Sequence, residues 1–319
     1  VKKYFEFVKF SHTIFALPFA LASMALAASE APFGNRGWPG WKIFLLILAA
    51  MATARTTAMA FNRIVDRKFD AQNPRTKDRH LPSGQISLGA AWTLTLVSAA
   101  AFVFVCWMFG ATGGDSAHVM GEWKAGKDWM NWMTGESGGN WLPLKLSPVA
   151  LVVICFYSFT KRFTAFAHFF LGIALALAPL GAWIAVRGEF DWQPVILSVA
   201  VVFWLAGFDI IYATLDEEFD RKAGLRSMVV ALGSKLALRA ALGFHLVMMA
   251  FLLAFGLISK MGATYFVCLA PIYLVIFLQH WFARKQDAKS INIAFFRVNA
   301  VVSVLVLIAV VGDVWVRTL

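Results

Sequence analysis

The chain has 319 residues, of which 60 % are apolar and only 15 % charged, and its mean hydropathy of +0.69 excludes a water-soluble globule. Three cysteines without paired spacing exclude a disulfide scaffold and a zinc module. The formal net charge is +11. Because the basic residues sort by side along the chain, that excess reads as membrane topology and contact with anionic headgroups, with no nucleic acid as partner.

A membrane-spanning helix needs about 20 predominantly apolar residues. Nine stretches meet that need, at about 11–29, 41–62, 88–110, 142–159, 165–186, 194–215, 236–258, 262–282 and 295–316. The first lacks a convincing small-residue cleavage site and reads as a retained helix. Pro18, Pro179 and Pro271 fall within spans and are expected to kink them. An odd number of spans places the termini on opposite sides. One side then collects Lys2, Lys3 and Lys9, seven basic residues from Arg55 to Arg79, Lys161 and Arg162, five from Arg221 to Arg239 and four from Arg284 to Arg297, together 21 of the 29 Lys and Arg. The positive-inside rule makes that side cytoplasmic, as in a multi-pass protein of a bacterial-type inner membrane. The longest connection, about 111–141, falls on the other side. It is rich in Gly and Trp, and Trp123, Trp129, Trp132 and Trp141 suit a segment lying in the interface. No hydrophilic stretch is long enough to fold alone. Residues 1–319 therefore read as a single all-α membrane domain of about nine helices bundled around a central cavity.

The second and sixth spans each run into a row of acids. The first row is Asn62-Arg63-Ile64-Val65-Asp66-Arg67-Lys68-Phe69-Asp70; the second runs from Asp209 through Tyr212 and Asp216 to Asp220. At about 100° per residue, Asn62, Asp66 and Asp70 drift by only about 40° per step, so they share one helical face. Arg55, seven residues before Asn62, projects from nearly the same face about two turns deeper in the membrane. Asp209, Asp216 and Asp220 form a similar stripe with Tyr212 at its flank. Aspartate does little for topology, and rows of it repel one another without a cation. Asp66, Asp70, Asp216 and Asp220 therefore point to a metal or diphosphate role, since hard divalent ions such as Mg²⁺ take a few carboxylates and bridge to substrate phosphates. Arg63, Arg67, Lys68, Arg75, Lys77 and Arg79 surround the first row; Arg221, Lys222 and Arg226 surround the second; Lys161 and Arg162 lie on a third loop of the same side. The repeated pattern of acidic row and basic loop is a weak internal echo of the kind seen where one ligand sits between two helical halves.

Plainer readings apply to other residues. Arg75, Lys77, Arg79, Arg284 and Lys285 are as well explained as topology determinants, and Arg55 has a snorkelling or paired structural alternative. Cys106, Cys155 and Cys268 fall inside spans and read as buried thiols. His12, His168, His245 and His280 show no ligand spacing and read as polar packing residues. No Gly-rich phosphate loop and no nucleophile elbow is present.

The segment Asn62 to Gly84, NRIVDRKFDAQNPRTKDRHLPSG, resembles the first Asp-rich motif of the UbiA superfamily of intramembrane prenyltransferases. Asp209 to Ser227, DIIYATLDEEFDRKAGLRS, resembles the second, and YSFTKRFT followed by Leu171-Gly172 resembles a further landmark. These three ordered landmarks extend the resemblance over essentially the whole chain. The Arg55 position and the NPRT and LPSG context are most similar to the hydroxybenzoate branch. Two features depart from the pattern: Arg63 stands where many members carry Asp, and the 111–141 connection is longer than usual.

The resemblance implies Mg²⁺-dependent transfer of a polyprenyl group from its diphosphate to an aromatic hydroxy acid, here 4-hydroxybenzoate. Asp66, Asp70, Asp216 and Asp220 would hold metal, with Asn62 and Asp209 in support. Arg67, Lys68, Lys161 and Arg162 would neutralise phosphate, Arg55 would meet the acceptor carboxylate, and either Tyr212 or Asp209 would assist removal of the ring proton. An aromatic acid of menaquinone synthesis (the futalosine branch) is the competing acceptor. A cation-coupled transporter is the competing class, but its carboxylates belong at the midplane, not at the helix ends.

Overall fold

Long apolar segments satisfy their backbone in lipid only as helices or closed barrels, and this chain forms helices. The computed structural model describes residues 2–8, 15–30, 36–111 and 139–318. After a short α1 (Lys2–Phe7) come α2 (Leu17–Ser29), α3 (Trp41–Gln72), α4 (Leu88–Ala111), α5 (Leu142–Phe156), α6 (Ala167–Arg187) and α7 (Trp192–Ala213). The short α8 (Glu217–Lys222) and α9 (Met228–Leu232) lead to α10 (Ser234–Ile258), α11 (Ala263–Ala283), α12 (Ala288–Asn292) and α13 (Asn299–Arg317). Eight helical segments among the described residues are long and apolar enough to cross a membrane. The chain is a multi-pass, all-helical membrane protein. Of the first expected span, 11–29, the described part is helical over the 13 residues of α2, and ten of these are buried. Residues 11–14, His12 among them, lie outside the described residues, as do 112–138 of the long connection with Trp123, Trp129 and Trp132.

Helices α6, α7, α10, α11, α13 and α2 pack in that order, and α2 returns to α6, which closes a ring. Its centre is aromatic: Phe19 lies 4.9 Å from Trp204, and Trp204 4.9 Å from Phe208, with Trp183, Phe255 and Tyr265 fully buried around them. Helices α3, α4 and α5 pack one on the next and against α6. There Met24, Leu46, Ile47, Val105, Phe109 and Ala182 join α2, α3, α4 and α6. Pro18 does not bend a span. It occupies the first turn of α2, where the missing N–H costs no hydrogen bond. Pro179 and Pro271 lie inside α6 and α11, which stay helical through them.

Successive long helices alternate in direction, so the C-terminal ends of α3, α5, α7 and α11 meet the N-terminal ends of α4, α6, α10 and α13. Exposed Trp92 and Trp281 mark that end of the bundle, and exposed Trp41, Trp192 and Trp315 the other. Indoles are favoured at both surfaces of a bilayer, and between these two belts Leu96, Val97, Val152, Val267 and Leu274 face outward. The contact between α6 and α7 depends on Gly172, where an added Cβ would stand 2.8 Å from the Val202 carbonyl oxygen. Backbone is slow to give way, so Gly172→Val is expected to destabilise the bundle by about 1–3 kcal/mol. A lowered midpoint of thermal unfolding in detergent would show it; an unchanged midpoint would mean that the two helices separate at no cost.

Candidate active site

The first acidic row is ordered because α3 does not stop with its apolar span. It continues as one helix of 32 residues to Gln72, which keeps Asn62, Asp66 and Asp70 on one face. Asn62 Nδ2 donates to Asp66 Oδ2 at 2.9 Å and reaches Ser158 Oγ at 3.5 Å. The second row is interrupted: α7 ends at Ala213, a 3₁₀ turn covers Thr214–Asp216, and α8 starts at Glu217. The tighter turn resets the helix so that buried Asp216 and Asp220 face α3. A second 3₁₀ turn, Tyr157–Arg162 after α5, brings Lys161 and Arg162 between the rows, where the Arg226 N–H holds the Lys161 carbonyl at 2.6 Å.

The result is one polar cavity of about 290 Å³, lined among others by Asn62, Arg63, Asp66, Asp70, Lys161, Arg162, Asp209, Tyr212, Asp216 and Asp220. Every carboxylate in it has a counterion or a donor. Arg75 meets Asp216 with two nitrogens, Nε at 2.9 Å and Nη2, and Asn73 Nδ2 adds a hydrogen bond at 3.1 Å. Arg75 Nη1 also donates to the Tyr212 hydroxyl at 2.6 Å, its guanidinium lying 4.9 Å over that ring. Burial alone would weaken the Arg75 charge, but the hydrogen bonds and attraction of Asp216 and Tyr212 outweigh it and raise its pKa above the ordinary value. Arg79 holds Asp70 at 2.6 Å from one side and Arg63 approaches at 3.8 Å from the other. Lys161 Nζ stands 3.5 Å from Asp220, and Arg162 Nη2 3.9 Å from Asp66. His168 Nδ1 lies 2.6 Å from Asp209 Oδ2.

A second, apolar cavity of about 360 Å³ adjoins the first, sharing Met59, Tyr157 and Leu171 with it. Ala50, Ala54, Ala58, Ala174 and Ala178 give it width, and Phe102, Phe109 and Phe190 line it. Arg55 stands in this apolar wall, as its place two turns below Asn62 requires. Arg67 and Lys68 are not brought in. They lie on the outer side of α3, in a cleft with Gln72, Leu88 and Trp92, because positions 67 and 68 are turned about 100° and 200° from Asp66. Arg162 lines both that cleft and the polar cavity.

Several residues of the site escape a reading of the sequence. Arg75 and Arg79 leave open whether they serve topology or a site until their partners are known. Asn73, Tyr157 and Ser158 fall inside segments that the resemblance picks out, but their partners across the site are not written there, and His168 reads as packing until Asp209 is seen beside it. Arg63, the departure from the motif, is a buried countercharge for Asp70. The carboxylates and the Asn62 amide oxygen are hard ligands of the kind Mg²⁺ takes, although among the described residues no three acidic, histidine or cysteine side chains stand together as an ion site.

Comparison with known proteins shows the family and the fold. The sequence model of the UbiA prenyltransferase family matches residues 16–113 and 132–301. This chain belongs to the UbiA prenyltransferase family. Its curated relatives include the 4-hydroxybenzoate octaprenyltransferase of Vibrio campbellii, 26 % identical over 284 residues that cover 88 % of this chain and 87 % of the relative. Among solved structures, the apo form of a UbiA homolog from Aeropyrum pernix K1 superposes with a TM-score of 0.76 at 29 % identity, covering 95 % of this chain and 98 % of the other. A UbiA homolog from Archaeoglobus fulgidus, bound to DMAPP and Mg²⁺, shares the fold with a TM-score of 0.63 at 16 % identity, covering 97 % of this chain and 99 % of that one. The chain is thus an intramembrane prenyltransferase of the UbiA family, with its polar cavity at the end of the bundle and its apolar cavity behind.

The Arg75 bridge generates a test of this geometry. In Arg75→Ala the buried Asp216 keeps, among the described residues, the Asn73 donor alone, and Tyr212 loses the Arg75 donor. Unfolding without metal should then cost roughly 1–2 kcal/mol less, part of the ion pair being screened at the cavity mouth. Lys77→Ala, at an exposed position of the same loop, should leave the unfolding midpoint in place. Equal effects of the two would mean that the bridge is not formed.

Proposed function

We propose that this UbiA-family enzyme transfers a polyprenyl group from its diphosphate to the ring of 4-hydroxybenzoate, with Mg²⁺ as cofactor and the polar cavity opening to the cytoplasm across a bacterial inner membrane. The observation that carries this reading is the junction of the two cavities: a carboxylate and cation chamber meets an apolar chamber at Met59, Tyr157 and Leu171, and the apolar side contains Arg55. A diphosphate needs the first chamber, a prenyl chain the second, and a cation set in an apolar wall selects an acceptor that brings its own carboxylate.

Asp66, Asp70, Asp216 and Asp220, helped by Asn62, hold the metal, which when bound offsets the charge of the departing diphosphate. Lys161, Arg162, Arg75, Arg79 and Arg63 stand within 4.0 Å of those carboxylates and are at hand to pair with phosphate oxygens. Preset charges of this kind in a site with little water are the largest contribution such a site makes to rate. The apolar walls keep water from the allylic carbon while the ring carbon ortho to the hydroxyl attacks. Arg55 orients the ring by its carboxylate. Arg67 and Lys68, on the outer cleft, lie at the membrane surface and suit attraction of anionic headgroups or of the donor's diphosphate before it enters. Residues 1–319 act as a single domain in this reading, since the apolar cavity draws on α3 to α6 and the polar cavity, which adjoins it, on α3, α6, α7 and α8. The small-residue lining of the apolar chamber suits a long, flexible chain that continues sideways into lipid.

The test is incubation of the purified protein in lipid with labelled 4-hydroxybenzoate, a polyprenyl diphosphate and Mg²⁺, with and without EDTA. A lipid-soluble labelled product that EDTA abolishes is expected; no product beside a working control enzyme counts against this acceptor, and a parallel arm offers a larger aromatic hydroxy acid. Asp66→Asn and Asp216→Asn should each remove nearly all turnover, by about 10³-fold or more; full activity in either sinks the metal assignment. Arg55→Ala should raise the acceptor KM by at least tenfold, about 1.4 kcal/mol for a lost charge-assisted contact, and leave the donor KM alone.

A further inference from the structure

Five carboxylates line the polar cavity, and four of them have an arginine or lysine nitrogen within 4.0 Å. Asp209 is the exception. Its close partner is His168 on the first turn of α6, a side chain with no exposure at all, whose Nδ1 stands 2.6 Å from Asp209 Oδ2. A carboxylate only accepts, so Nδ1 carries the hydrogen and donates it. Among the described residues His168 Nε2 is buried without a hydrogen-bond partner, so the polar anchor of the ring there is Asp209. That contact fixes one carboxylate oxygen. Oδ1 makes no hydrogen bond among the described residues, and the side chain keeps 19 % of its surface open where it lines the cavity.

The position is as informative as the pairing. Asp209 precedes Asp216 by seven residues, so it lies about two turns, or about 10 Å, deeper along α7 than the acids assigned to metal. Leu171, three residues after His168, lines both cavities. The dyad thus faces the passage between the diphosphate chamber and the apolar one. Tyr212, the other candidate to take a proton, is differently engaged. Its hydroxyl oxygen accepts from Arg75 at 2.6 Å and its ring stacks on Phe295 at 4.1 Å. An oxygen that already accepts from a guanidinium is a poor base, so Tyr212 serves to position Arg75.

We propose that Asp209 is the base that removes the aromatic ring proton after prenyl transfer, and that His168 is the positioning residue that aims it. The inference rests on the prenyl-transfer reading above. In the step, the bond from prenyl C1 to the diphosphate oxygen breaks and its electron pair leaves with the diphosphate. The ring carbon forms the new carbon–carbon bond with a π pair. The ring C–H pair then returns to the aromatic system while the proton passes to Asp209 Oδ1, from which cavity water carries it off.

Deuterium at the ring position ortho to the hydroxyl tests the proposal, with the aromatic acid on which the wild-type enzyme turns over. Asp209→Asn should lower kcat by about 10²–10⁴-fold, the usual reach of general base catalysis. The donor KM should stay unchanged, and a primary isotope effect that fast proton loss hides in the wild type should appear. His168→Phe should lower kcat less and show the same isotope effect, whereas His168→Asn, whose side-chain amide N–H takes the place of Nδ1–H toward Asp209, should restore most of the rate and suppress it. Slow variants with a silent isotope effect and a weakened donor KM would overturn the proposal and make Asp209 part of the diphosphate chamber. Wild-type rates in Asp209→Asn would overturn it as well. An inactive wild type on both aromatic acids would instead sink the underlying reading, whereas an active wild type with silent variants sinks the dyad alone.

Discussion

Carboxylates gathered at the end of an apolar bundle must be neutralised, and this constraint organises the structure. Water cannot solvate five aspartates that share a cavity of about 290 Å³, and a buried charge without a partner costs several kcal/mol. The chain meets the cost by bringing cations from three separate places. The 73–79 turn after α3 supplies Arg75 and Arg79, the 3₁₀ turn after α5 supplies Lys161 and Arg162, and α3 itself supplies Arg63. Each of these connections is therefore fixed by charge at least as much as by packing. The Asn73 side chain, which bonds both the Arg75 N–H and Asp216, shows how closely that turn is fitted to the acid it serves.

Arginine and lysine that neutralise aspartates before ligand arrives are suited to phosphate oxygens once a divalent ion takes over the carboxylates. In the proposed reaction, protein and substrate would then exchange counterions without leaving a charge bare. Asp209 stands apart because its partner is a histidine buried in the α6–α7 contact, and that difference in partner is what sets it apart for the proposed role of base.

The apolar cavity answers a different requirement. Its alanines leave room where α3, α5 and α6 would otherwise close, and its one guanidinium is set two turns below the polar face. A polar chamber alone would hydrolyse a reactive allylic group, and an apolar one alone would not bind a diphosphate. Their junction at Met59, Tyr157 and Leu171 lets both halves of an amphiphilic donor be satisfied at once.

Much of this was legible in the order of residues. Apolar length specified the helices, the distribution of Lys and Arg specified which ends lie together, and four-residue spacing specified that Asn62, Asp66 and Asp70 share a face, because helical geometry is local and periodic. The same local geometry, followed strictly, turns Arg67 and Lys68 away from Asp66, though their charge suggests otherwise. What remained hidden were pairings between elements far apart in sequence: Arg75 with Asp216 and Tyr212, Arg63 with Asp70, and His168 with Asp209. No periodicity encodes these contacts. They depend on a 3₁₀ turn resetting the second row and on α6 packing against α7 at Gly172. Sequence by itself determined a membrane bundle with two acidic rows at one end; only the tertiary structure decided which cation each acid faces, because charge pairing across helices depends on distances that local spacing does not set.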